Sequence, residues 1–131
     1  MKILIVDDDP TSLKLASEVL QNCGQLIMLA MSADQAIISM RAAKPDVILL
    51  DLKLPGIKGL GVARQCREEQ ATRNIPIIAV TAFTDDYGQA EAMLAGCDAY
   101  LIKPINTRTL LRQIENVVEA KVQLSHSRKL S

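Results

Sequence analysis

Three acids, a hydroxyl and an ammonium in this sequence stand where short apolar runs have just ended. Asp7 and Asp8 follow Ile3-Leu4-Ile5-Val6, and Asp51 follows Val47-Ile48-Leu49-Leu50. Thr81 follows Ile77-Ile78-Ala79-Val80, and Lys103 follows Ala99-Tyr100-Leu101-Ile102. If those runs are parallel strands of one sheet, all of these residues emerge on the same edge, where open parallel sheets bind their ligands. Two carboxylates roughly 4 Å apart repel by about 4 kcal/mol at an effective dielectric near 20, so such a cluster needs positive charge within it. Lys103 supplies one charge, and an oxygen-only donor set suits Mg²⁺, which takes one or two carboxylates together with phosphate oxygens. An aspartate can attack phosphorus to give an aspartyl phosphate. The rest of phosphoryl transfer is positioning and charge neutralisation, for which a metal, an ammonium and a hydroxyl are suited. The chemistry implied is metal-assisted phosphoryl capture, with Asp51, in the middle strand, as the nucleophile.

The elements that must position these residues follow from periodicity. Short, continuous apolar runs bounded by turn signals read as strands buried on both faces. Leu26 to Ala30 is a further, weaker strand. Between them lie helical patterns. Asp9-Pro10 suits a helix start, with Asp9 as N-cap rather than metal ligand, and Leu13, Ala16 and Leu20 with Leu15 and Val19 form its inner face to about Asn22 before Gly24. Ser32 to Gln35 fits a capping box ahead of Ala36, Ile37 and Met40, ended by Lys44-Pro45. A Pro55-Gly56 loop precedes a helix carrying Leu60, Val62, Ala63 and Cys66 to about Gln70. Thr84, Asp85 and Asp86 predict the start of a fourth helix with Ala90, Met93 and Leu94 inward and Gly96 as its stop. Asn106 is expected to cap a last helix bearing Leu110, Leu111, Ile114, Val117 and Val118 to about Gln123. The polar tail beyond, 124–131, is expected to be frayed or a linker remnant. Strict strand–helix alternation predicts an α/β fold, a doubly wound three-layer sandwich around a parallel five-stranded sheet.

Totals restrict the alternatives. With 131 residues, 49% of them apolar and 23% charged, one folded domain is expected, over 1–123, with no room for a second module. Lysine plus arginine number 15 and aspartate plus glutamate 15, so there is no basic excess of the kind that marks nucleic-acid binding. No apolar stretch is long enough for a signal peptide or membrane span. Three cysteines, Cys23, Cys66 and Cys97, without metal-ligand spacing suggest reduced thiols in a cytoplasmic protein, filling helix faces and loops. His126 is the only histidine, which counts against a phosphohistidine or histidine-based metal site in this chain.

Val6-Asp7-Asp8, Asp51 followed by Leu54-Pro55 and Gly59, Val80-Thr81-Ala82, and Tyr100 ahead of Lys103-Pro104 together resemble the receiver domain of bacterial two-component response regulators, over nearly the whole chain. The resemblance implies a flavodoxin-like sheet of strand order 2-1-3-4-5. It implies that Asp51 accepts phosphate from a sensor histidine kinase or phosphotransfer protein. Asp7, Asp8, Asp51 and the backbone carbonyl of Lys53 would hold Mg²⁺ or Mn²⁺. Thr81 and Lys103 would bind phosphoryl oxygens, and the Lys103–Pro104 peptide would be cis. Thr81 and Tyr100 would be the switch that alters the surface of the fourth helix, fifth strand and fifth helix for a downstream protein target. On this reading the chain catalyses only its own phosphoryl transfer and dephosphorylation, and is otherwise not an enzyme. Lys53 and the bulky Phe83 depart from the family at positions thought to tune phosphoryl lifetime.

Other readings stay open at this level. Asp7-Asp8-Asp9-Pro10-Thr11 also matches the nucleophile motif of haloacid-dehalogenase-type phosphatases, although here Asp85-Asp86 precede Lys103, the reverse of that family's order. A docking module that is never phosphorylated is a third reading, and an acidic first loop disfavours a flavin phosphate. Met1 close to the first strand favours an intact start, but a receiver excised from a hybrid histidine kinase would read the same, and phosphorylation-dependent homodimerisation is not legible.

Overall fold

The computed structural model describes residues 1–53, 59–81 and 89–130, with side chains to Leu124. The loop at Leu54, Pro55 and Gly56, and Ala82, Phe83, Thr84, Asp85 and Asp86, on which part of the sequence reading falls, lie outside the described residues.

Five strands, β1 (Lys2–Val6), β2 (Leu26–Ala30), β3 (Val47–Asp51), β4 (Ile77–Thr81) and β5 (Ala99–Ile102), form one parallel sheet in the order β2-β1-β3-β4-β5. Helices α1 (Pro10–Asn22), α2 (Ala33–Ala42), α3 (Gly59–Glu68), α4 (Gln89–Leu94) and α5 (Leu110–Leu130) follow the strands in turn. Because side chains alternate across a strand, each apolar run feeds two cores. Leu4, Val6, Ile48, Leu50, Ile77 and Ala79 pack with α2, α3 and α4. Ile3, Ile5, Val47, Leu49, Ile78 and Val80 pack with α1 and α5. Every residue of β3 and β4 is buried, which is why both lack polar alternation up to their last residues, Asp51 and Thr81.

Helix ends follow local chemistry. The Asp9 carboxylate accepts from Thr11 N–H at 3.2 Å and from the Ser12 hydroxyl at 2.9 Å, capping α1 with Pro10 in its first turn, and those bonds hold its pKa below the usual carboxylate value. Gly24, at φ 84°, takes the left-handed turn after α1. In α2 the capping box is shifted: Ser32 Oγ accepts from Gln35 N–H, but Gln35 Oε1 reaches past Ser32 to accept from Met31 N–H at 2.8 Å.

Two boundaries differ from the sequence reading. The last helix does not begin at an Asn106 cap: Asn106 Oδ1 accepts from Arg108 N–H at 3.0 Å and closes a turn, so α5 starts only at Leu110. At its other end α5 continues to Leu130, beyond Gln123, instead of giving way to a frayed tail, since 124–130 contains no glycine or proline to stop it. Cys23 is exposed, while Cys66 and Cys97 are buried free thiols, and burial pushes the Cys97 pKa up to about 11.

The sheet's N-terminal end is held by a side chain the periodicity did not single out. Arg67 on α3 donates to the carbonyls of Gly96 (3.0 Å), Arg73 (3.0 Å) and Ile75 (2.7 Å) and pairs with Asp98 at 2.8 Å. Asp98 also accepts from Ile77 N–H at 2.9 Å and Lys121 Nζ at 2.8 Å, so α3, β4, β5 and α5 meet there. Arg67→Ala strips donors from half-buried carbonyls and is expected to lower the unfolding free energy by about 2 kcal/mol. Denaturant titration checks this; a loss below about 0.5 kcal/mol would mean that water replaces the guanidinium.

Candidate functional site

Register places the site. Val6 is level with Leu50, and Asp51 with Val80, so Asp7 and Asp51 leave neighbouring strands side by side. Thr81 is level with Ile102, and Lys103 N–H donates to the Thr81 carbonyl at 2.8 Å, which brings the lysine to the same edge. The Lys103–Pro104 peptide is cis.

Within that edge the side chains converge. Lys103 Nζ donates to Asp7 Oδ2 at 2.8 Å and to Asp51 Oδ2 at 3.3 Å. The other oxygen of each acid is held by backbone: Asp7 Oδ1 accepts from Asp9 N–H and Asp51 Oδ1 from Lys53 N–H, both at 2.9 Å. Asp7 and Asp51 are buried, at 5% and 8% exposure, and Thr81 is fully buried, whereas Asp8 is exposed. Carboxylate oxygens of Asp7, Asp8 and Asp51 all lie within 4.8 Å of one another. Three carboxylates facing one ammonium leave negative charge uncompensated, and their oxygen-only donors are those a hard divalent cation takes. The residues present therefore fit Mg²⁺ or Mn²⁺. Lys53 bonds Asp51 through its N–H.

Tyr100 sits on β5, opposite Ala79, half-buried against the core shared by α2, α3 and α4. It is thus on the sheet face away from α1 and α5, one strand over from Thr81's strand. Sequence reasoning missed Gly59 as a packing residue and gave it only a place in a motif. A Cβ there would lie 2.6 Å from the Asp51 carbonyl oxygen and 2.6 Å from Leu52 Cα, so the start of α3 rests directly on the backbone at the end of β3.

Burial raises the Asp7 pKa, and the neighbouring Asp51 charge adds to this, against the opposing bonds from Lys103 and Asp9 N–H. Burial pulls the Lys103 pKa down, but its two carboxylate partners outweigh that and leave it raised. Because the folded protein binds the Asp7 proton more tightly than the unfolded chain does, the Asp7 charge opposes folding at neutral pH, and that cost fades as pH falls through the raised folded pKa. A divalent cation has the opposite dependence, competing with that proton. The Asp7 carboxyl is expected to titrate above the ordinary 3.8 without metal and lower when Mg²⁺ is added. Carboxyl carbon NMR measures both midpoints; an unmoved Asp7 on adding Mg²⁺ would remove it from the ligand set.

The family model for the response regulator receiver domain matches residues 3–115. Protein PilH of Pseudomonas aeruginosa is 33% identical over 117 residues, 89% of this chain and 97% of the relative. The CheY-like response regulator receiver domain protein of Methanospirillum hungatei JF-1 superposes with a TM-score of 0.85 at 27% identity, covering 93% of this chain and 96% of that one. The receiver domain of sensor histidine kinase PA1611 from Pseudomonas aeruginosa PAO1, solved with a magnesium ion coordinated in its active site cleft, superposes at 0.83 with 30% identity over 90% of this chain and 97% of its own.

Proposed function

Since the chain belongs to the response regulator receiver domain family, we propose that it is a phosphoacceptor of two-component signalling whose nucleophile is Asp51. The observation that carries this is the Lys103 ammonium bound to both Asp7 and Asp51 at adjacent ends of a parallel sheet. The donor is a phosphohistidine of a sensor kinase or phosphotransfer protein. A carboxylate oxygen of Asp51 forms the new P–O bond as the P–N bond breaks, the freed imidazole leaves, and the product is an acyl phosphate.

Each neighbour has a role its position supports. Lys53 N–H holds Asp51 Oδ1, which fixes the carboxylate plane. Lys103 Nζ, already within 3.3 Å of Asp51 Oδ2, transfers its bond to a phosphoryl oxygen, and the Thr81 hydroxyl donates to another. Asp7, Asp8, Asp51 and the Lys53 carbonyl would hold Mg²⁺ or Mn²⁺, which when bound would supply charge neutralisation on the phosphoryl group. A groove of about 340 Å³ bordered by Ser12, Leu15, Lys103, Pro104 and Ile105 opens beside the lysine and gives a donor protein room to approach. Movement of Thr81 toward the phosphoryl group and of Tyr100 inward then biases a two-state equilibrium read by a downstream protein. The only turnover is formation and hydrolysis of the acyl phosphate. Among the described residues no helix is long and apolar enough to cross a membrane.

Intact mass after incubation with Mg²⁺ and acetyl phosphate tests the reading: one added phosphoryl group per chain, absent when the metal is chelated, is expected. No adduct under any condition would leave a docking module. Lys103→Ala removes a cation from among three acids, so Mg²⁺ should bind about tenfold more tightly, while the phosphorylated variant should no longer shift the amide resonances of β5. Wild-type shifts in that variant would remove Lys103 from the switch.

A further inference from the structure

We propose that β2 is a self-pairing edge, through which two copies of this chain join antiparallel into one continuous sheet whether or not Asp51 is phosphorylated. Among the described residues, strand β2 pairs on one side only, with β1. Leu26 N–H donates to the Met1 carbonyl, and the Ala30 carbonyl accepts from Asp7 N–H. In a parallel ladder alternate residues of a strand turn both backbone groups to the same neighbour. Leu26, Met28 and Ala30 therefore face β1, and Ile27 and Leu29 present N–H and C=O groups outward. The next outward N–H, that of Met31, is taken by Gln35 Oε1 at 2.8 Å, which ends the open row.

Proteins ordinarily protect such edges with charge, proline or a bulge. None of these is present here. No charged residue or proline occurs between Glu18 and Asp34. The register with β1 runs without interruption from Lys2 opposite Leu26 to Val6 opposite Ala30, so no bulge turns the strand away. Leu26 is 68% exposed, Leu29 49% and Met31 41%, which leaves the rim apolar and accessible.

The occupant that this edge fits is a second β2. A two-fold axis at Met28 sets Ile27 opposite Leu29 of the partner subunit, and Leu29 opposite Ile27 of the partner subunit. Both are the outward-bonding kind, so each pair exchanges N–H and C=O. Every outward donor then meets an acceptor, apolar side chains meet apolar side chains, and no charge is desolvated. Strand addition of this type takes its affinity from main-chain bonds and its selectivity from side chains. Asp51 and the phosphoryl site lie at the strand ends, away from this edge, so the association does not require the switch.

Sedimentation velocity on the full chain, with concentration raised to about 1 mM because so short an interface belongs to the weak class, should show a dimer in both phosphorylation states. Leu29→Lys sets a lysine opposite Ile27 of the partner subunit at each of the two pairs and should weaken the dimer at least about tenfold. Ile102→Lys, at the opposite sheet edge, should leave it intact. In the unaltered protein, hydrogen exchange at the Ile27 and Leu29 amides should slow as concentration rises, while that at Met28, already bonded to β1, should not change. A monomer at every concentration, a dimer indifferent to Leu29→Lys, one lost with Ile102→Lys, or exchange at Ile27 and Leu29 independent of concentration would each overturn the proposal.

Discussion

Asp51→Asn should yield a folded protein that takes up no phosphoryl group from acetyl phosphate. The substitution preserves volume, and the amide oxygen can still accept from Lys53 N–H as Asp51 Oδ1 does at 2.9 Å. Lys103 keeps its bond to Asp7 at 2.8 Å, so the ammonium is not left buried without a partner. What disappears is the anionic oxygen that, on the proposed function, would form the P–O bond. The loss should be complete by intact mass, in contrast to the graded effects expected of groups that only stabilise charge, each worth about a hundred- to a thousandfold. Removing one of three clustered acids also relieves repulsion, so the metal-free variant should melt no lower than wild type, whereas Mg²⁺ should bind less tightly. Asp7→Asn is the informative companion: it weakens metal binding but leaves the nucleophile. An adduct that survives Asp51→Asn and vanishes with Asp7→Asn would move the nucleophile to Asp7 and revive the phosphatase reading.

The strands were legible because a strand covered on both faces cannot hide a polar residue cheaply; β1, β3 and β4 are unbroken apolar runs for that reason. The same logic pointed to the candidate site, since Asp51 and Thr81 are the polar residues that close the apolar runs of β3 and β4, and Asp7 and Lys103 are the first residues beyond β1 and β5. It could not distinguish Asp7 from Asp8. Consecutive side chains leave a strand in opposite directions, so Asp7 is buried against Lys103 while Asp8 is exposed, and which of the two turns inward depends on the register with β3. The Arg67–Asp98 pair escaped notice because its partners are 31 residues apart and neither breaks the helical or strand pattern around it. The start of α5 was misplaced because Asn106 has the residue type of a cap and uses it to close a turn. Its end was misplaced because polarity was read as fraying, although helix propagation needs only the absence of breakers once a packed segment has nucleated it.

Gly59→Ala is expected to damage both stability and phosphoryl uptake, more than any other single methyl addition at a glycine of this chain whose surroundings are known. At Gly24 a Cβ would meet nothing within 4 Å, and at Gly96 it would meet the flexible stem of Arg67, although both of those glycines have positive φ. At Gly59 the obstacles are backbone atoms, the Asp51 carbonyl oxygen and Leu52 Cα, both at 2.6 Å. Neither can rotate away. Asp51 is bonded in register opposite Val80, and Leu52 N–H donates to the Val80 carbonyl, so the strand end is fixed from the β4 side. The strain must be met by moving α3 outward or by tilting the end of β3. Overpacking of this kind costs about 3 kcal/mol at the upper end of the usual range, which denaturant titration would register directly. If β3 tilts, the Asp51 carboxylate shifts against Lys103 and the other acids, and an ångström of misplacement is enough to slow positioned chemistry about a hundredfold. Phosphorylation rate at saturating acetyl phosphate separates the two responses. Lost stability with an unchanged rate means that α3 moved; loss of both means that the helix start positions the nucleophile. Wild-type stability and rate together would show that the contact between Gly59 and the Asp51 backbone is looser in solution than its geometry requires.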